Sequence, residues 1–195
     1  MLETILVAKQ PSSTEKKYAD KPAHIGDEFK FLFNPELKPL NNEEILNETV
    51  NKIKSSQVVA IIRGKDAELA IERGLELVEM GCKALEITMD TDRALYVVEQ
   101  LIQRIPKGKC LIGVGTVMDT SPLDALAKVG INFAISPINP PGFVAACHER
   151  GILAIPAAFT PNELWQTHSQ GAKFVKLFPT QLWSPSALKV EKYLN

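Results

Sequence analysis

The sequence predicts an α/β fold in which parallel strands alternate with helices from residue 51 onward. Three observations carry this: short apolar, β-branched runs recur at a regular interval, the segments between them have a helical period, and helix-start signals open several of those segments. The runs are VVAIIR at 58, ALEITM at 84, CLIGVG at 110, FAISP at 133, LAIPAA at 153 and FVKLFP at 174, with starts 26, 26, 23, 20 and 21 residues apart. A repeat of that length holds one strand, one crossover helix and two loops, which is how parallel strands are joined. The runs are apolar at nearly every position instead of at alternate ones, so both faces of the sheet are expected to be covered.

Residues 1–50 come first, as an N-terminal appendage. Positions 9–44 carry four prolines and no sustained hydrophobic period, so this segment is expected to be extended or partly ordered. The domain of interest is then 51–195. After its first strand, Ala67, Ala70, Ile71, Gly74, Leu75 and Val78 lie on one helical stripe; after the second, Leu95, Val98, Leu101, Ile102 and Ile105 do the same. Ser121-Pro122 precedes the next helix. Thr160-Pro161-Asn162-Glu163 is a capping box with proline at the first helical position, and Ser184-Pro185 repeats the Ser-Pro pair before a last helix.

Two architectures use such a repeat, the closed (β/α)8 TIM barrel and the open doubly wound sheet. A barrel distributes polar residues over the carboxyl ends of several strands, whereas an open sheet concentrates them at one switch point. Here they are distributed over Arg63, Glu86 with Thr88, Thr116, Ser136 and Lys176, which favours the barrel.

Composition narrows the function. The chain has 195 residues, 45% hydrophobic and 23% charged, with 22 Lys+Arg against 23 Asp+Glu. A net charge of −1 without a basic cluster gives little attraction for nucleic acid or an anionic membrane surface, and neither is an expected partner. The apolar runs fall far short of a membrane span. The opening MLETILVAKQ carries Glu3 and no basic segment, so it reads poorly as a secretory signal, and a cytoplasmic protein is expected. Cys82, Cys110 and Cys147 lack metal-site or disulfide spacing and read as free thiols. His24, His148 and His168 are equally scattered, with His148 and His168 expected on solvated helix faces and no metal site anticipated.

Lys176 is the most informative position, the only charge inside FVKLFP. A lysine among buried residues loses hydration of its ammonium form, which would lower its pKa and free an amine to attack a carbonyl. Snorkelling from a strand end, or a buried ion pair, is the alternative. Glu86 is a second charge within an apolar run. Alternation places Ala84, Glu86 and Thr88 on one face, where a carboxylate could act as general acid and base, pair with Lys176 or Arg63, or do both. Arg63 ends the first strand and could hold a carboxylate in a bidentate pair or form a surface ion pair. Gly113-Val114-Gly115-Thr116 is not a dinucleotide fingerprint, because the third glycine would fall on Met118; its small residues allow backbone or ligand to approach, with Thr116 offering a hydroxyl. Ser136-Pro137 is by itself a rigid strand end.

Taken together, V-V-A-I-I-R at 58–63, L-E-I-T at 85–88, G-V-G-T-V at 113–117, A-I-S-P at 134–137, I-P-A-A-F-T-P-N-E-L at 155–164 and V-K-L-F-P at 175–179 resemble the 2-keto-3-deoxy-6-phosphogluconate and 4-hydroxy-2-oxoglutarate aldolases. The resemblance implies a class I aldolase on a (β/α)8 barrel, a homotrimer that uses no metal or cofactor. It would cleave a 2-keto-4-hydroxy acid reversibly to pyruvate and an aldehyde. It matches Lys176 to the Schiff-base lysine, Glu86 to the proton-shuttling acid/base, Arg63 and Thr116 to the pocket for the pyruvyl carboxylate and carbonyl, and Pro137 to the pocket wall. Where many members have arginine four residues after the glutamate, this chain has Asp90, and their Pro-Gly is Pro156-Ala157 here. Six βα units can be counted where the family barrel has eight, so a barrel lacking its last two strands is expected. A non-catalytic relative that binds a partner or assembles through the open strand edges is the second reading.

Overall fold

The computed structural model describes residues 41–182. Within them, α1 (Asn42–Ser56) precedes the first strand, β1 (Ala60–Ile62). Then follow α2 (Ala67–Glu79), β2 (Ala84–Thr88), α3 (Ala94–Arg104), β3 (Leu111–Gly115), α4 (Leu123–Val129), β4 (Phe133–Ile135), α5 (Phe143–His148), β5 (Leu153–Ile155), β6 (Ala157–Ala158), α6 (Pro161–Ser169) and β7 (Lys176–Leu177). A 3-10 turn over Thr180–Leu182 ends the described segment. His24 and Ser184-Pro185 lie outside the described residues.

Strands β1 to β5 form one parallel sheet in sequential order. A doubly wound sheet must reverse its strand order at a switch point, so the sequential order decides for the winding of a (β/α)8 barrel. The single run LAIPAA becomes two strands. Pro156 has no N–H to donate, which interrupts the ladder. β5 before it pairs with β4, while β6 after it pairs with β7, Ala157 opposite Lys176. Ala157 N still donates to Ile138 O at 3.0 Å, so the broken strand keeps its neighbour on the β4 side. Among the described residues, β1 and β7 each have a strand partner on one side only.

Two apolar layers follow from this winding. Outside the sheet, Ile71, Val78, Val97, Val98, Leu101, Leu123, Leu126, Phe143 and Cys147 of the helices pack against Leu85, Ile87, Ile112, Val114 and Ala134. Inside it, Ala84, Leu111, Phe133, Ile135, Leu153, Ile155 and Phe174 form a second cluster that includes Leu46, Val50 and Ile53 of α1. Helix α1 therefore covers the amino-terminal end of the strands, packed against β3, β5 and α5. Its start is fixed by a capping box between Asn41 and Glu44, and Asn42 Nδ2 donates to Glu149 O at 2.7 Å. The expected boundary at residue 50 falls inside this helix, and the residues buried on either side of it belong to one cluster.

The helix starts divide in the same way. Thr160 caps α6 through Glu163 with Pro161 in the first turn, as its sequence requires. Ser121 does not cap α4: its backbone N–H and hydroxyl both bond Asp119 Oδ1, and Pro122 occupies the cap position without a side-chain bond.

Candidate active site

The carboxyl ends of the strands carry two groups of candidate residues. The first spans β1, β2 and β3. Arg63 Nε donates to Asp90 at 3.2 and 3.1 Å from Oδ1 and Oδ2, while its Nη2 donates to Thr116 Oγ1 at 3.2 Å. Of the two alternatives for Arg63 the surface ion pair is the one seen, and it leaves Nη2 on Thr116, the other expected pocket residue. Arg63 and Asp90 are about half exposed, and such pairs contribute only ~0–1 kcal/mol. Orientation of the guanidinium is its larger consequence. The Thr88 hydroxyl, more than the Arg63 guanidinium, holds the Asp90 carboxyl below the usual range.

Thr116 lies just past β3 at φ 60°, a left-handed conformation that is strained for a β-branched residue. Behind this group, Thr88 Oγ1 and Thr91 Oγ1 are 3.1 Å apart and each lies 3.4 Å from Ile62 O, which gathers the end of β2 against the end of β1. Glu86 is 2% exposed, the one charged side chain among the described residues that is buried. Alternation places it on the inner face with Ala84, as the sequence predicts.

The second group lies on β4, β6 and β7. Lys176 opens β7, and its N–H donates to Pro156 O at 2.8 Å. Lys176 is half-buried, nearer to the strand-end alternative than to full burial, because β7 begins on it and only Leu177 follows in the strand. Its ammonium sits 4.7 Å from the centroid of the Phe178 ring, a cation–π contact. Pro137, half-buried, and Phe178 line a common cavity of about 650 Å³, together with Ile138, Ala157, Ala158 and Phe159. Ser136, which precedes Pro137, is buried, and its hydroxyl accepts from Ile138 N at 3.2 Å.

A larger cavity, about 860 Å³, opens between α1 and the loop joining α3 to β3. It contains none of the five candidate residues, and in strand-wound barrels the chemistry sits at the other end. Burial pushes the thiols of Cys110 and Cys147 up to about 12, so both remain protonated and unreactive at neutral pH. His148 departs from its expected solvated face: it is half-buried, with Nε2 shielded from solvent. Burial first, and then Lys173, holds its imidazole below the ordinary histidine value of 6.5. His168 is exposed as expected. No group of three or more potential metal-ligating side chains occurs among the described residues, and none of their helices is long and apolar enough to cross a membrane.

Sequence reasoning noticed Asp90 as a departure and missed it as the partner of Arg63. The signal was available, since residues that follow neighbouring parallel strands meet at the same sheet end. The Thr88–Thr91 pair and Phe178 were also missed.

Strands wound in sequence, with ionisable residues gathered at their carboxyl ends, define a parallel α/β barrel with a strand-end site. Within that class, the chain belongs to the KDPG and KHG aldolase family, whose model matches residues 49–189. It is 33% identical over 131 residues to a probable 2-dehydro-3-deoxy-6-phosphogalactonate aldolase of Rhizobium meliloti, covering 67% of this chain and 61% of that one. It is 30% identical to the KHG/KDPG aldolase of Escherichia coli, covering 66% and 60%. The KDPG aldolase of Legionella pneumophila, solved with pyruvate captured at low pH as a covalent carbinolamine intermediate, superposes with a TM-score of 0.61 at 28% identity, covering 68% and 64%. The chain thus spans about three fifths of the length of the curated relatives it matches.

Proposed function

We propose that this protein is a class I aldolase, a lyase that cleaves a 2-keto-4-hydroxy acid to pyruvate and an aldehyde through a Schiff base on Lys176. The observation that carries the reading is the buried Glu86 carboxylate on the inner face of β2, in a barrel whose β7 opens with a lysine. The names of the aligned aldolases support substrates of this class, of the phosphogluconate, phosphogalactonate or hydroxyoxoglutarate type. In this reading the neutral amine of Lys176 attacks the C2 carbonyl, and the carbinolamine loses water to give an iminium. Removal of the C4 hydroxyl proton then breaks the C3–C4 bond. Its electron pair moves into the iminium as an enamine, and the aldehyde departs. Protonation at C3 and hydrolysis release pyruvate and free the lysine. Glu86 is the group assigned to these proton transfers. Arg63, held by Asp90, and Thr116 are assigned to the keto-acid carboxylate and carbonyl, and Pro137 to the pocket wall. The acting form in this reading is a homotrimer, on the family resemblance alone, and its location the cytoplasm.

Incubation with pyruvate and borohydride, followed by peptide mapping, tests this reading. A reduced pyruvyl adduct on Lys176, absent from Lys176→Met, is expected; no adduct on the wild-type chain would overturn it. Cleavage rates with phosphorylated and unphosphorylated keto acids then identify the substrate.

A further inference from the structure

In the ladder between β2 and β3, Glu86 pairs with Gly113 and Thr88 with Gly115. The Glu86 side chain does not stay opposite its own partner. A Cβ added at Gly115 would lie 1.5 Å from Glu86 Oε1, 2.4 Å from Cδ and 2.9 Å from Cγ, so the carboxylate rests where that side chain would be. Glu86 therefore leans along the strand, towards the carboxyl end. The space beside its own partner is taken: a Cβ at Gly113 would meet three atoms of the Phe133 ring at 2.3 to 2.5 Å, and Phe133 is fully buried. One glycine thus admits an aromatic floor, and the next, two residues on, admits a carboxylate above it.

We propose that Gly115 is a positioning residue for proton transfer: by lacking a side chain it seats the Glu86 carboxylate over the backbone of β3, with Phe133 beneath it, and so aims it at the strand ends. This deepens the Schiff-base reading above and rests on it. The three nearest atoms that a methyl group at 115 would meet all belong to the flexible Glu86 side chain, namely Oε1, Cδ and Cγ. The expected response is rotation of Glu86 off its seat with the fold retained. The equilibrium amount of imine on Lys176 does not depend on that seat, although the rate of its formation does. Removal of a C3 proton from the Lys176 iminium needs it: the carboxylate takes the proton, the C–H electron pair forms the enamine, and returning a deuteron from solvent reverses the step.

The experiment compares wild type, Gly115→Ala, Glu86→Ala and the double variant, using pyruvate as the probe. Borohydride trapping reports the imine, and NMR in deuterium oxide reports exchange of the pyruvate methyl protons. Gly115→Ala is expected to keep the Lys176 adduct at equilibrium while exchange falls about 100-fold, the lower end of what a positioned acid/base supplies. The double variant should exchange no more slowly than Glu86→Ala alone. Exchange near the wild-type rate in Gly115→Ala would overturn the proposal, as would a further large loss in the double variant. Should Gly115→Ala fail to fold, folding of the double variant supports the shared seat, and its failure to fold overturns it. Absence of an adduct in the wild type is a different result, overturning the Schiff-base reading itself. The seat is then judged by thermal unfolding alone, where any loss from Gly115→Ala must vanish in the Glu86→Ala background.

Discussion

The two ends of the barrel are built from the same strands, yet they spend their inner faces differently. At the amino-terminal end, Leu46, Val50 and Ile53 of α1 close over Ala84, Leu111, Phe133, Leu153 and Phe174, an apolar seal beside which Thr49 is the buried polar side chain of that helix. At the carboxyl end the same faces offer Glu86, Thr88 and Gly115, with Arg63, Asp90 and Thr116 just beyond. Polar groups cost free energy when buried, so they are tolerated only where hydrogen bonds or function compensate. The comparison therefore predicts that substitutions at one end act on stability and at the other on chemistry. Glu86→Gln is the sharpest way to break it. Turnover and pyruvate methyl exchange are expected to fall ~100- to 10,000-fold, the range for loss of a general acid/base, with thermal stability unchanged or raised. A large stability loss with activity retained would assign Glu86 to structure.

The opposite end should answer oppositely. Ile53 is almost completely buried against the strands' amino-terminal ends. Ile53→Ala removes three carbons from that seal and should lower unfolding stability by ~2–5 kcal/mol in denaturant titrations. The fraction of folded protein trapped by pyruvate should not change. Gly113→Ala lies between the two ends. Its new methyl meets the ring of the fully buried Phe133, so overpacking should cost ~1–3 kcal/mol. Gly115→Ala, two residues away on the same face, should cost less stability and more activity. Equal stability losses at 113 and 115 would erase the distinction between floor and seat.

Much of this is legible in the amino-acid sequence. Near-continuous apolar runs identified the strands, because a doubly covered sheet leaves no polar face to interrupt them. Lys176 and Glu86 stood out as lone charges inside such runs. What stayed hidden depended on register or on distant partners. Gly115 was readable as a place of close approach, but its occupant follows from a diagonal lean across the β2–β3 ladder that no local pattern encodes. Helix α1 was hidden by its proline-rich surroundings, although the Asn41–Glu44 capping box and the spacing of Leu46, Val50 and Ile53 mark it. The split at Pro156 follows from a missing N–H, a signal the continuous apolar run concealed. Lys176 is less buried than its run suggests, because the strand begins on it.

His148 offers the smallest effect and a test of whether the division holds for protons. It ends α5, and the charge of Lys173 acts on it, both residues preceding their neighbouring strands. Burial and the nearby ammonium disfavour its protonated form, so its folded pKa lies below the ordinary value of 6.5. As pH falls through that value the unfolded chain takes up the proton first, which means stability is full above about 6.5 and declines below it. The slope from one such group cannot exceed about 1.4 kcal/mol per pH unit. His148→Gln, which cannot titrate, should flatten the decline of the stability profile below pH 6.5 while leaving the pH dependence of pyruvate exchange in place. A shift in the exchange profile instead would mean that the two ends are coupled, and that protons at the sealed end reach the chemistry at the open one.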